Sequence, residues 1–146
     1  MYTIGQIADK FDLSISTIRY YDKEGLFPNI KRKNGIRQFD DQDLEVFLVI
    51  ECLKKSGMQI KEIKQFLLWV DEGNSTLNKR LEMFKNQKQK VLNQIKELES
   101  TLNLINYKCW YYGEAVKQGT DENLKTLPVL SMPKEIQNYY KKAHKI

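Results

Sequence analysis

From Leu77 to Tyr112 the chain places Leu77, Leu81, Phe84, Lys88, Val91, Ile95, Leu98, Leu102, Ile105, Cys109 and Tyr112 at alternating steps of four and three residues. That spacing, kept over five heptads, is the seam of a coiled coil and not the stripe of an ordinary surface helix. At 1.5 Å per residue such a helix is roughly 55 Å long. No other segment of the 146-residue chain could cover it, so the seam requires a second copy of the chain. The dimerisation residues are then Leu77, Leu81, Phe84, Val91, Ile95, Leu98, Leu102 and Ile105. Lys88 interrupts the seam, and a polar residue at such a position selects register or orientation at some cost in stability.

Ahead of this helix lies a different pattern. Ile4, Ile7, Ala8 and Phe11 fall at helical steps, and Asp12-Leu13 leaves only a short turn before Ser14-Ile-Ser-Thr-Ile-Arg-Tyr-Tyr-Asp-Lys-Glu24. Ser14 or Ser16 can cap this second helix, and Ile15, Ile18 and Tyr21 or Asp22 form its inner side. Gly25 and Pro28 end it. Two short helices joined by a tight turn match helix-turn-helix geometry, in which the second helix reads DNA. Thr17, Arg19 and Tyr20 point away from the inner side. Arg19 can fork two donors to a guanine edge or a phosphate, and Thr17 and Tyr20 add hydroxyl and ring contacts.

Asn34-Gly35 is the strongest short hairpin signal a sequence offers. Lys31, Arg32, Lys33 and Arg37 surround it with no acidic residue among them, so the expected two-stranded wing carries positive charge suited to phosphate. Asp40 or Asp41 then caps a helix that ends near Ser56-Gly57, and its middle, Val46 to Ile50, is apolar on every side and needs cover on both faces. A fourth helix, Met58 to Val70, has Ile60, Ile63, Phe66, Leu67 and Val70 as its inner stripe and Gly73 as its stop. Asn74 or Ser75 can cap the long helix. These elements divide the chain into a winged helix-turn-helix domain at 1–72, a coiled-coil helix at 73–118 and a short tail at 119–146. A kink at Gly113 is expected, and the tail either packs on the body or is partly disordered.

The net charge of +5 and pI near 9.1 favour a polyanionic partner. In the first 70 residues, however, eleven basic side chains face ten acidic ones, so the DNA argument rests on where charge is placed. No apolar run reaches the ~20 residues a membrane span needs, and no signal pattern opens the chain, which points to a cytoplasmic protein. The single histidine, His144, sits in a polar tail, which argues against His-dependent catalysis. The chain is not read as an enzyme and no cofactor is expected. Two cysteines, Cys52 and Cys109, are too few for a disulfide scaffold or a four-thiolate zinc site, and no metal site is expected.

Taken together, Tyr2-Thr-Ile-Gly-Gln-Ile-Ala8, Ile18-Arg-Tyr-Tyr-Asp-Lys-Glu-Gly-Leu-Phe-Pro28, Asn34-Gly-Ile-Arg-Gln-Phe39 and Leu53-Lys-Lys-Ser-Gly-Met58 resemble the MerR family of bacterial transcription regulators. Two departures are Ile36, where the family usually has an aromatic residue, and Gln59, where a capping Ser or Thr is common. The resemblance implies a mainly α fold, with a winged helix-turn-helix domain followed by a long antiparallel coiled-coil dimerisation helix. It also implies a homodimer on double-stranded promoter DNA with an overlong spacer, which the protein bends and undertwists for RNA polymerase. Thr17, Arg19, Tyr20, Lys31, Lys33 and Arg37 carry over as DNA contacts.

Glu51-Cys-Leu-Lys54 and Lys108-Cys-Trp-Tyr-Tyr-Gly-Glu-Ala115 resemble the thiol-based subgroup, of the AdhR and NmlR type, that answers aldehydes and other electrophiles. In it a cysteine matching Cys52 reacts. Lys54 and Lys55 favour a thiolate at Cys52, while Glu51 and the negative helix end oppose it. A cysteine on an apolar helix is also often an inert small hydrophobe, and Cys109 in the seam fits that description better. Two other readings remain open. One is a regulator answering a non-covalent hydrophobic ligand at Trp110, Tyr111 and Tyr112, and the other is a coiled-coil adaptor that binds no DNA.

Overall fold

The computed structural model describes residues 1–146. The elements follow in the order α1 (Ile4–Phe11), α2 (Ile15–Lys23), β1 (Lys31–Lys33), β2 (Ile36–Gln38), α3 (Asp41–Lys55), α4 (Ile60–Glu72), α5 (Leu77–Gln118), α6 (Glu122–Lys125) and α7 (Lys134–Ala143), with single 3-10 turns at Asn74–Thr76 and Val129–Ser131. The chain forms two compact units, Met1–Gln87 and Lys88–Ile146. The first therefore includes the opening turns of α5.

Local chemistry sets the boundaries in the first unit. Thr3 and Gln6 close a capping box on α1, and Asp12 ends that helix in the left-handed region at φ 52°. Asp40 and Asp43 do the same for the start of α3, where the amide of Asp43 donates to the Asp40 carboxylate. Asn34 and Gly35 both have positive φ, the requirement of a type I′ turn, and β1 and β2 pair antiparallel around them. Helix α4 starts at Gln59 with no side-chain cap. Replacing Gln59 by Ser, whose hydroxyl reaches the free amides of the first turn, is expected to raise unfolding free energy by about 0.5–1 kcal/mol in urea titrations.

Four phenylalanines hold this unit together. Phe47 lies between Phe27, Phe11 and Phe39, at ring-centroid distances of 4.5, 5.3 and 5.6 Å, and it is fully buried with Ile7, Ile18, Phe39, Ile50 and Ile63 around it. The all-round apolar stretch of α3 is not fully covered: Phe47 and Ile50 are buried, while Leu48 is 53% exposed. Ile15 and Val70 also lie outside the core. Ile15 sits in the first turn of α2, and Val70, near the end of α4, lines a cleft with Leu26, Phe27, Val46 and Leu67.

Helix α5 runs 42 residues, about 63 Å, and Gly113 does not break it. Tyr111 and Ala115 on either side are buried, and that packing absorbs the roughly 1 kcal/mol a mid-helix glycine costs. The helix stops at Gly119, where φ is 73°. In the second unit α6, α7 and the turn between them fold back on the end of α5, so the tail is packed rather than loose. Leu124, Met132 and Ile136 bury against Tyr107, Tyr111 and Ala115, with Trp110, Leu127, Tyr139 and Tyr140 at the margin.

Three stripes emerge along α5. Arg80, Met83 and Gln87, in line with Thr76 of the preceding 3-10 turn, turn toward the winged core, with Thr76 and Gln87 buried. Tyr107, Tyr111 and Ala115 serve the tail. The heptad seam belongs to neither: Leu77, Leu81, Ile95, Leu98, Leu102 and Ile105 are 46–68% exposed, Val91 is half-buried, and Cys109 and Tyr112 are exposed. Phe84 is the exception, since its ring meets Phe66 edge-on at 5.2 Å within the first unit.

Candidate nucleic-acid interface

Helix α2 is fixed at its start by Ser14, whose Oγ accepts from the amide of Thr17 at 3.1 Å. Ile18 and Tyr21 anchor it in the core at 0% and 1% exposure. This leaves Arg19 and Tyr20 exposed on the outer side, with Thr17 half-buried beside the cap.

The wing is less uniformly positive than its composition implies. In the strand register Lys31 faces Gln38, Arg32 faces Arg37 and Lys33 faces Ile36. Because side chains alternate across a strand, Lys31 and Lys33 lie on one face of the ribbon and Arg32 and Arg37 on the other. Arg37 Nε donates to Asp22 Oδ2 at 2.7 Å, and Arg32 Nη2 lies 3.5 Å from the same oxygen. Lys31 Nζ pairs with Asp40 at 3.5 Å, with Lys31 itself 64% exposed. Arg19 and Lys23 on α2 and Lys33 on the wing are exposed cations that no such ion pair engages. The expectation of four unopposed charges is corrected accordingly: Lys31, Arg32 and Arg37 are met by Asp40 and Asp22, from outside the hairpin, and Lys33 is not.

Cys52 and Cys109 are both exposed. Leu48, Glu51, Cys52 and Lys55 form one stripe of α3 and line a cleft whose other wall is Lys10, Phe11, Asp12 and Leu13, the end of α1 and the turn that leads into α2. Beside Cys52, Glu51 accepts a 3.0 Å hydrogen bond from the hydroxyl of Tyr21 on α2, and Lys54 Nζ donates to the same hydroxyl. Burial, and then the Glu51 carboxylate, hold the Tyr21 phenol well above its usual pKa. One turn further, Gln87 on α5 donates to the carbonyl of Ser56 at 2.9 Å and to its Oγ at 2.8 Å. These cross-helix bonds lie between positions 30 or more apart in sequence, and no spacing pattern announces them.

At the far end of α5 two of the three clustered aromatics are engaged by the tail. Tyr111 is buried and donates to Asp121 at 3.0 Å; burial, then that carboxylate, pushes its phenol up to about 12. Trp110 is half-buried against the same cluster, while Tyr112 is 57% exposed.

A capped, outward-facing α2 set beside a basic ribbon defines a winged helix-turn-helix DNA-binding protein. The family model for MerR HTH family regulatory proteins matches residues 2–68. An HTH-type transcriptional regulator of Haemophilus influenzae is 41% identical over 89% of this chain and 98% of its own length. The AdhR transcriptional regulator of Bacillus subtilis is 32% identical over 61% of this chain and 64% of its own. Among solved structures, HiNmlR, a MerR family regulator lacking the sensor domain and bound to promoter DNA, superposes with a TM-score of 0.76 at 41% identity, covering 84% of this chain and 98% of that one.

The chain belongs to the MerR family of transcription regulators, and within it resembles the NmlR and AdhR type. It is a DNA-binding regulator and not an enzyme, which removes the reading as an adaptor without DNA. No helix is long and apolar enough to cross a membrane.

Proposed function

We propose that the protein acts as a homodimer on a pseudo-palindromic promoter operator, and activates transcription by deforming an overlong spacer so that RNA polymerase meets both promoter elements. The observation that carries this reading is the open seam of α5: a row of apolar side chains left exposed on the same helix whose first turns are built into the DNA-binding unit. An antiparallel pairing of two such helices sets two α2 readers on one duplex, as a two-fold operator requires. Holding the DNA bent costs several kcal/mol, which the extra wing and helix contacts repay.

In this reading Thr17, Arg19 and Tyr20 meet the major groove and its flanking backbone, and Lys31, Lys33 and Arg37 meet phosphates. The inducer is a reactive electrophile such as an aldehyde, and Cys52 is the group that meets it. Its support is placement, in a cleft against the turn of the helix-turn-helix. Sγ adds to the carbonyl carbon, the thiol proton ends on the oxygen, and no oxidant is consumed. A non-covalent hydrophobic effector at the aromatic cluster is less well supported, because Trp110 and Tyr111 are engaged by the tail.

The DNA roles are tested with two variants. Arg19→Ala is expected to cost roughly 1–3 kcal/mol on an operator duplex and to relax sequence preference. Lys31→Ala with Lys33→Ala is expected to weaken operator and random duplex alike and to flatten the dependence of affinity on salt. Equal loss of specificity from both would contradict the assignment.

A further inference from the structure

Arg32 and Arg37 stand directly opposite each other on one face of the wing. Like charges at opposed positions of a strand pair destabilise it, and a lone two-stranded ribbon is marginal to begin with. The one acid that meets both is Asp22, from the last turn of α2; its Oδ2 takes Arg37 Nε at 2.7 Å and lies 3.5 Å from Arg32 Nη2. Asp22 is mostly covered, at 13% side-chain exposure, and Arg37 at 23% is held in the same recess. Bonding through Nε leaves both terminal amino groups of Arg37 without a partner in the chain, while Arg32 uses its other terminal nitrogen on the carbonyl of Gly35.

We propose that Asp22 is a positioning residue for DNA binding: it fastens the wing to the recognition helix and aims the free edge of Arg37 at a phosphate. The role of Arg37 here rests on the DNA contacts proposed above. The bridge fixes the spacing between α2 and the wing before DNA arrives, so the cost of ordering the ribbon is met on folding and not on binding. A guanidinium shared between a carboxylate and a phosphate keeps its planar fork and its full charge, which suits arginine and not lysine at this position.

The proposal makes a prediction of unusual sign, since removing a negative charge beside a polyanion ordinarily strengthens binding. The probe is an operator duplex recovered by in vitro selection with the parent protein, with a shuffled duplex as reference. Asp22→Asn is expected to bind the operator about tenfold more weakly and to reduce the slope of log affinity against log salt by about one. Glu24→Gln, on an exposed acid two residues away, is expected to bind as well as the parent or better. In an Arg37→Ala background Asp22→Asn is expected to add little, because both changes remove one device. Asp22→Asn binding as tightly as the parent with an unchanged salt slope overturns the proposal, as does full additivity with Arg37→Ala. An Arg37→Ala protein that binds like the parent instead overturns the phosphate contact itself. Should Asp22→Asn fail to fold, Asp22→Glu, which keeps the charge and shifts it by one methylene, must retain the parent salt slope; loss of that slope in a folded Asp22→Glu protein is the contrary result.

Discussion

The double change Ile95→Glu and Leu98→Glu is expected to yield a monomer in light scattering, with operator affinity reduced by about 10²- to 10⁴-fold. The first effect follows from burial. Each of these side chains is roughly half or more exposed in the single chain and touches neither the winged core nor the tail. Covering an Ile or Leu contributes about 1.5–3 kcal/mol, and two copies double the count, so four glutamates in the seam remove several kcal/mol and add like-charge repulsion. The second effect follows from tethering, because two linked readers gain about 10²–10⁴ over one. Glutamate is a good helix former and the stripes serving both units are untouched, so the far-ultraviolet circular dichroism stays at the parent value. A variant that remains dimeric places the interface elsewhere on the chain.

On the reading proposed above, Cys52→Ser is expected to abolish the transcriptional response to an aldehyde or quinone, and Cys109→Ser to retain it. Cys52 shares its stripe with Glu51, and the facing wall of the cleft is the turn into α2. An adduct there crowds Leu13 and Asp12 directly and disturbs the bond from Tyr21 to Glu51. A hydrogen bond to a charged group is worth about 1.5–3 kcal/mol, and coupling of about 1–3 kcal/mol between effector and operator corresponds to 5- to 150-fold in response. Cys109 lies in the seam register of the second unit and lines no part of the Cys52 cleft, so its modification is expected to act on pairing. Transcription from the regulated promoter, read with mass spectrometry of the modified thiol, separates the cases. A response kept in Cys52→Ser and lost in Cys109→Ser reverses the roles; a response kept in both moves the effector to a non-covalent site near Trp110.

Features written in local spacing were legible. Ser14 and Asp40 cap their helices as hydroxyl and carboxylate caps do, Asn34-Gly35 turns the wing, and the 4-3 repeat of α5 is both helical and open on the seam. The register that sets Arg32 opposite Arg37, and so calls for an acid between them, came only with the structure. Which acid was not legible, because Asp22 arrives from a separate helix. The Tyr21, Glu51 and Lys54 contacts and the Gln87 bond to Ser56 were hidden for the same reason. Apolar periodicity also overstated the core at Ile15, Leu48 and Val70, since a stripe records which side chains could be covered and not whether a neighbour is long enough to reach them. The tail was undecidable because its elements are short; Tyr107, Tyr111 and Ala115 gain their meaning only once α6 and α7 fold back on them.

The three stripes of α5 restrict which insertions and deletions this helix tolerates. Each added residue rotates everything beyond it by about 100°. One residue inserted between Leu102 and Tyr107 would turn Tyr107, Tyr111 and Ala115, which meet the tail, a quarter of the way round relative to the seam, although every contact on either side of the insertion survived. Seven residues would leave the two faces within about 20° of their present phase. Whole heptads therefore keep the faces in phase but move them about 10 Å apart along the axis, and single-codon steps do not keep even the phase.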